Sequence, residues 1–416
     1  MRLISLVRRI ARNERGNTLM LVAAAMPLVI GAAALSIDTI NVMLARRQLQ
    51  RAADSAALAG AYAVGQAGNV SSSVNQDLTI NNQIPLSGAP VIQNGPTAGP
   101  WANNARAVRV ALRSDRAVPF ISFFGASQMT IAVEATAAVV VSGQFCVIAL
   151  ETAQATGITF TGNSTVNLGC GVASNASGPG SIEASASALV TASPVSAVGR
   201  IPASGAYQGS TTFLPYSRPE LDPHRTIPSP VVPSLCNTNG LSVANNSTLT
   251  VNPGCYAGMD IRGNVTFNPG TYIIDGGSLA FGANATVTGA GVTFVLTSRT
   301  AATAPDSIAT LTMHGNAVLN LSAPASGPYR GLIFYQDRRA TFGNELINGN
   351  TASRYQGGFY FPSRQLTFNG NSGMQTQCVQ FVARRVVFTG NSRVQNECPA
   401  NSGAEAYDAT IVRLVG

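Results

Sequence analysis

Three hydrophobic patterns follow one another along the chain. From Asn17 to Ile37 the residues NTLMLVAAAMPLVIGAAALSI run without a charge. As a helix they span about 31 Å, the thickness of a bilayer's hydrocarbon core. From Asp38 to about Val64 the pattern stays helical, and Ala45, Leu49, Ala52, Ala56, Ala59 and Ala63 recur at spacings of 4, 3, 4, 3 and 4. Such a stripe of mostly small residues lets a second element approach the helix closely, either from its own domain or from a partner. From about Cys146 short β-prone runs are punctuated by asparagines, mostly beside glycine, at Asn163, Asn246, Asn264, Asn284, Asn316, Asn344, Asn371 and Asn391. Intervals of 18 (246 to 264), 20 (264 to 284) and 20 (371 to 391) suit a strand–turn unit that stacks on its neighbours. Asn tolerates the left-handed backbone angles that such turns need.

The chain therefore divides into a basic segment (1–16), a transmembrane helix (17–37), a continuation helix (38–66), a small α+β domain (67–143) and a mainly-β body (144–416). That body is expected to be a β-solenoid or parallel β-helix. Between 175 and 235 the repeat is lost in a Ser-, Ala- and Pro-rich stretch, readable as a linker or as an excursion from one rung.

The cysteines sharpen the repeat. Phe160-Thr161-Gly162-Asn163-Ser164, Phe368-Asn369-Gly370-Asn371-Ser372 and Phe388-Thr389-Gly390-Asn391-Ser392 each precede a cysteine, Cys170, Cys378 and Cys398, seven residues after the last Asn of the motif. Equivalent positions on successive rungs lie one strand spacing apart, within disulfide reach. This predicts Cys378–Cys398 and, from similar separations, Cys146–Cys170 and Cys236–Cys255. Disulfides require an oxidising compartment.

Charge changes the picture in two ways. Charged residues are only 11% of the chain, and the net charge of +8 comes from 26 arginines without one lysine. Residues 1–51 hold eight Arg against two acids, so the basicity is mainly N-terminal and nucleic acid is not an expected partner. Five Arg precede the apolar span, which places the N-terminus in the cytoplasm and the body outside it. A cleaved signal peptide, with Ala32-x-Ala34 as its processing site, is the competing reading.

The residues Glu14-Arg15-Gly16-Asn17, the span with Pro27, Asp38, and Leu49-Gln50-Arg51-Ala52-Ala53-Asp54-Ser55-Ala56-Ala57-Leu58-Ala59-Gly60-Ala61 resemble the N-terminal region of TadG-like proteins of the tight-adherence (Tad/Flp) pilus assembly system. The likeness is good over residues 8–66. It is weaker to 141, where a strand (108–112), an apolar turn (118–124) and a second strand (130–141) are readable. It implies a bacterial inner-membrane anchor with an extracytoplasmic body and other pilus-assembly proteins as partners. Gly16 taken as a pilin-type cleavage glycine would place Leu21, not Glu, at the fifth mature position, so incorporation into the filament is not expected.

Catalysis is not expected. A β-solenoid glycan-active enzyme needs clustered carboxylates. The sequence offers only Glu220/Asp222 as a close acid pair before the tail, and Asp260 with Asp275 as candidates for one strand face. His224 and His314 read as turn residues. No cofactor or metal set is apparent. The expected function is structural, in pilus assembly or surface adhesion. The alternatives are a secreted carbohydrate-binding adhesin and a glycan-active enzyme, and a carbohydrate or surface ligand stays open through outward Tyr335 or Tyr360.

Overall fold

The computed structural model describes residues 14–124, 127–349, 352–370, 378–391, 393–395 and 406–416. The chain forms two compact units, residues 1–140 with 410–416 and residues 141–409.

The first unit is built on one helix, α1 (Glu14–Gly65), 52 residues long with Pro27 inside it. Its first half is apolar and exposed: Leu21, Leu28, Val29 and Ile30 are all more than 60% accessible. Its second half packs. Leu49, Ala52, Ala53, Ala56, Ala57 and Ala61 are buried against Val74, Val108, Val110, Leu112, Ile131 and Val133. A short helix, α2 (Val70–Gln76), follows, started by Asn69, whose side chain accepts from the Ser72 N–H. The unit's strands include the antiparallel set Val91–Asn94, Ala107–Ala117 and the first part of Gln128–Ala149, paired as Ala107↔Ala138 through Ala117↔Gln128, and the end of Tyr407–Leu414. In Ala107–Ala117 the burial follows the pleat, with Val108, Val110 and Leu112 facing α1.

The second unit is mostly parallel sheet, in which each strand generally pairs with the third strand after it. One ladder runs Leu241–Val243, Met259–Ile261, Ser278–Phe281, Thr310–Met313 and Asn344–Gly349, then continues through Gln365–Gly370 and Arg385–Gly390. A second begins Gly254–Tyr256, Gly270–Asp275, Val292–Thr297 and Leu332–Gln336. Passes repeat at 18 (241 to 259), 20 (259 to 279) and 20 (367 to 387) residues. The pass of 32 (279 to 311) carries an extra loop with the turn Pro305–Ser307. Inside, Phe294, Phe334, Phe359 and Phe381 stand in register, with ring centroids 5.5, 5.1 and 5.4 Å apart. That interval is close to one strand spacing, so the rings form a continuous column.

The stacking order is not the chain order. After Arg385–Gly390 the next strand is Ile158–Phe160, and after Phe381–Ala383 it is Val147–Ala149. The first pass thus lies against the last. Strands then continue to Ile182–Ala184 and Val195–Ala197, ending with Phe213–Leu214. The repeat that the sequence pattern loses at 175 therefore persists to 214. Its turns there use Ser and Ala instead of Asn-Gly, so the periodic marker disappears while the ladder does not. Phe213–Leu214 and Leu241–Val243 stand at opposite ends of the stack, and the residues between them carry the chain from one end to the other. The stretch 215–235 is neither linker nor rung excursion but a strap.

Candidate functional site

The strap attaches along the outer face of the second ladder. Val292–Thr297 and Leu332–Gln336 are buried on both faces, whereas exposed strands such as Asn264–Phe267 alternate. A strand buried on both faces must be covered on its outer side. Here Tyr335, Tyr360, Val295 and Val382 are covered with the participation of Ile227, Tyr329 and Tyr407. Tyr335 and Tyr360, through which a ligand contact was left open, are 0% accessible. Their hydroxyls face outward as the pleat dictates, but the strap occupies the space.

Polar contacts fix the strap pass by pass. Ser217 N–H donates to Ala197 O, and Glu220 N–H donates to Asn175 Oδ1 at 2.7 Å. Tyr360 donates its hydroxyl proton to Asp222 Oδ2 at 2.7 Å and accepts from Arg338 Nε at 2.6 Å. Arg338 also donates to Ile227 O at 2.7 Å and to His224 O. The His224 ring meets the Tyr407 hydroxyl at 2.7 Å and stands edge-on to Tyr360. His224 is therefore a half-buried clamp residue within a turn. Burial holds its imidazole down at about 4, with Asp222 opposing and Arg338 assisting. Burial lifts the Glu220 carboxyl to about 7 against the pull of Arg218. The strap ends at Cys236, joined to Cys255, with Asn237 N–H donating to Cys255 O at 2.9 Å.

Cysteines lock adjacent passes. Cys146 is bonded to Cys170 with Cα atoms 5.8 Å apart, and Cys236 to Cys255 with Cα atoms 4.7 Å apart. Cys378 is disulfide-bonded; its expected partner Cys398 lies outside the described residues.

The candidate catalytic acids do not converge. Asp260 lies on Met259–Ile261 and pairs with Arg262, while Asp275 lies in a different ladder and pairs with Arg299. Glu220 and Asp222 serve the strap. Asp275 sits near the sulfurs of Cys236 and Cys255, but those sulfurs form a disulfide and offer no thiolate for a metal. His314 is exposed at a turn.

In the first unit the helix stripe packs on its own domain. Ala45, Leu49, Ala52, Ala56 and Ala63 are buried; Ala59 is half-exposed. The buried surface is wider than the expected stripe and takes in Ala53, Ala57, Gly60 and Ala61. A Cβ at Gly60 would stand 2.8 Å from Val108 Cγ1 and 3.0 Å from Val74 Cγ2, so the strand passes the helix at backbone distance. This two-residue-wide face follows from 3.6-residue periodicity against a broad sheet, where a 3.5 stripe suits a single helix. Where the exposed apolar half of α1 gives way to the packed half, Asp38 is fully buried, its Oδ2 accepting the N–H groups of Phe120 at 2.9 Å and Ile121 at 2.7 Å.

This is the segment that known proteins share. Residues 16–63 match the model of the family described as putative Flp pilus-assembly TadE/G-like. The segment is TadE/G-like. No curated protein and no solved structure matches the chain. The TadE/G-like segment coincides with most of α1, which among the described residues is the one helix long and apolar enough to cross a membrane.

Proposed function

We propose that the protein is a single-pass, membrane-anchored structural component of a Tad-type pilus assembly apparatus, with its N-terminus in the cytoplasm and its β-rich body outside. The observation that carries this reading is the coincidence of the TadE/G-like match with an exposed apolar half-helix continuous with a packed half. The body is a β-solenoid held by disulfides and by the strap, with a structural and not a catalytic role. Its partners are other pilus-assembly proteins at the bacterial inner membrane. The test is topology together with piliation. Alkaline phosphatase fused after Gly65 is active, and deletion of the gene abolishes surface pili. The full chain restores them and a chain lacking residues 17–37 does not. Normal piliation without the gene, or an inactive fusion, refutes the proposal.

One observation supports adhesion as a second role. Thr250, Thr266, Thr288 and Asn320 stand in register on four successive strands, all exposed, with Thr266 and Thr288 hydroxyls 3.2 Å apart. Thr266, Thr288 and Asn320 border a groove of about 510 Å³ that also takes in Asn268, Ser322, Arg354 and Gln356. A row of neutral hydroxyl and amide groups at strand spacing suits a neutral glycan. Binding to a panel of immobilised polysaccharides that is lost on T266V/T288V supports this role, and binding unchanged by that variant removes it.

A further inference from the structure

The described part of α1 carries no charge from Asn17 to Ala45 except Asp38. That aspartate is 0% accessible, although its neighbours Ile37, Ile40, Met43 and Leu44 are 48–60% accessible and apolar. What covers it is the turn Ile121–Phe124 and the residues leading into it, held by the two N–H groups on Asp38 Oδ2. This turn belongs to an uncharged stretch of the small domain, Ala117 to Val133, between Arg116 and Glu134. Pro119 and Phe120 are exposed, and Met129 is 49% accessible. Exposed apolar side chains beside a turn pinned to the side of a membrane helix are costly in water and favourable at a bilayer surface.

The levels agree. Asp38 immediately follows the 21-residue apolar span Asn17–Ile37, which covers a hydrocarbon core of about 30 Å. Arg46 and Arg47 lie a further eight and nine residues along, about 12 Å on at helical rise. The turn therefore sits where hydrocarbon gives way to headgroups, and the two arginines reach the outer phosphate level.

We propose that the segment Pro119–Phe124 is an interfacial foot. It inserts Pro119 and Phe120 into the outer leaflet beside α1, and Asp38 is the residue that holds it there, its carboxylate hidden from lipid by the turn it binds. The membrane contact of the protein then extends beyond the span to Leu44 and across two elements, which fixes the small domain's seating on the bilayer. The inference rests on the membrane-anchored reading given above.

The geometry supplies its own reference probe. Strand Ala107–Ala117 runs back along α1, with Val108 against Gly60 and Phe120 against Asp38. Trp101, the single tryptophan, precedes that strand at its membrane-remote end. Full-length protein is reconstituted in phosphatidylcholine/phosphatidylglycerol vesicles, with and without lipids brominated on the acyl chains. Wild-type emission, from Trp101, is expected to be unquenched. In W101F/L28W the indole is expected to lose most of its emission, which tests the span. In W101F/F120W it is expected to lose a comparable share with a blue-shifted maximum, which tests the foot. Quenching at position 28 without quenching at position 120 overturns the foot and leaves the anchor standing. Quenching at neither removes the anchor and the foot together. Adding D38A to W101F/F120W is expected to abolish the quenching at 120, whereas D38N, which keeps an acceptor oxygen, retains most of it. Quenching at 120 that survives D38A overturns the role given to Asp38.

Discussion

The Tyr360 hydroxyl donates to Asp222 Oδ2 at 2.7 Å, across 138 residues of sequence. It joins a pass in the second half of the stack to a segment that has just left the stack's other end, and Arg338 completes the contact by donating to both oxygens. A hydrogen bond to a charged group contributes about 1.5–3 kcal/mol. Y360F is expected to lower the body's stability by an amount in that range, and D222A by more, because Arg338 is then left half-buried without its carboxylate. Urea unfolding of the two variants checks the order. Equal stability of D222A and wild type would show that the strap does not contribute to the fold.

The strap carries two groups with opposed pH behaviour. The imidazole of His224 titrates at about 4 in the fold against 6.5 when unfolded, so the unfolded chain binds the extra proton between those values and stability falls as pH drops from 6.5 to 4. Glu220 titrates at about 7 in the fold against 4.5 unfolded, so the native state holds the extra proton and stability falls as pH rises from 4.5 to 7. In wild type the slopes largely cancel between 4.5 and 6.5. E220Q is expected to expose the histidine slope, with urea midpoints rising steadily from pH 4 to 6.5. A flat profile in E220Q would contradict the burial of His224.

Glu151 fastens the first pass to the last. Its Oε2 meets Arg384 at 2.7 Å and Arg385 at 2.9 Å, more than 230 residues away in the chain. Burial alone would raise this carboxyl, but the Ala153 N–H together with Arg385 and Arg384 outweighs it and holds the group below its usual value. Its contribution is therefore present above about pH 4.5 and lost as pH falls through the depressed value. E151Q is expected to cost about 1.5–3 kcal/mol near neutrality and progressively less in acid. A cost independent of pH would mean that charge is not what holds the junction.

Each disulfide closes a loop of about twenty residues, worth about 3 kcal/mol on a chain-entropy model. Non-reducing peptide maps are expected to show Cys146–Cys170 and Cys236–Cys255, and C236S/C255S to lower the melting temperature. A Cys170–Cys236 peptide would contradict the pass register, because those residues lie in different parts of the stack.

On α1 the two alanine neighbours of one turn should respond differently. Ala56 is 0% accessible against the sheet, while Ala59 is half-exposed. A56L is expected to overpack and cost about 1–3 kcal/mol, and A59L to stay within about 0.5 kcal/mol. Protease resistance of the first unit in detergent micelles distinguishes them. The opposite order would mean that residue 59, and not residue 56, faces the domain.

Local patterns were enough to establish much of this protein. An uncharged run of bilayer length, arginines on its N-terminal side and an Ala-rich helical repeat are properties of neighbouring residues, and they specify α1 and its TadE/G-like segment without reference to anything distant. Turn asparagines marked several of the passes because a left-handed turn selects its residue locally, and cysteine spacing indicated which passes adjoin. What the sequence left open depends on contacts between remote residues. Val386 pairs with Ile158, an order of passes that no periodicity encodes, since parallel pairing is equally satisfied by any neighbour of matching register. Pro-rich residues 215–235 could be read as linker or excursion because their hydrogen-bond partners, Tyr360, Arg338 and Tyr407, lie more than a hundred residues downstream. The same reason explains Asp38: a lone acid at the end of an apolar span becomes a binding point only when the fold brings the N–H groups of Phe120 and Ile121 to its carboxylate.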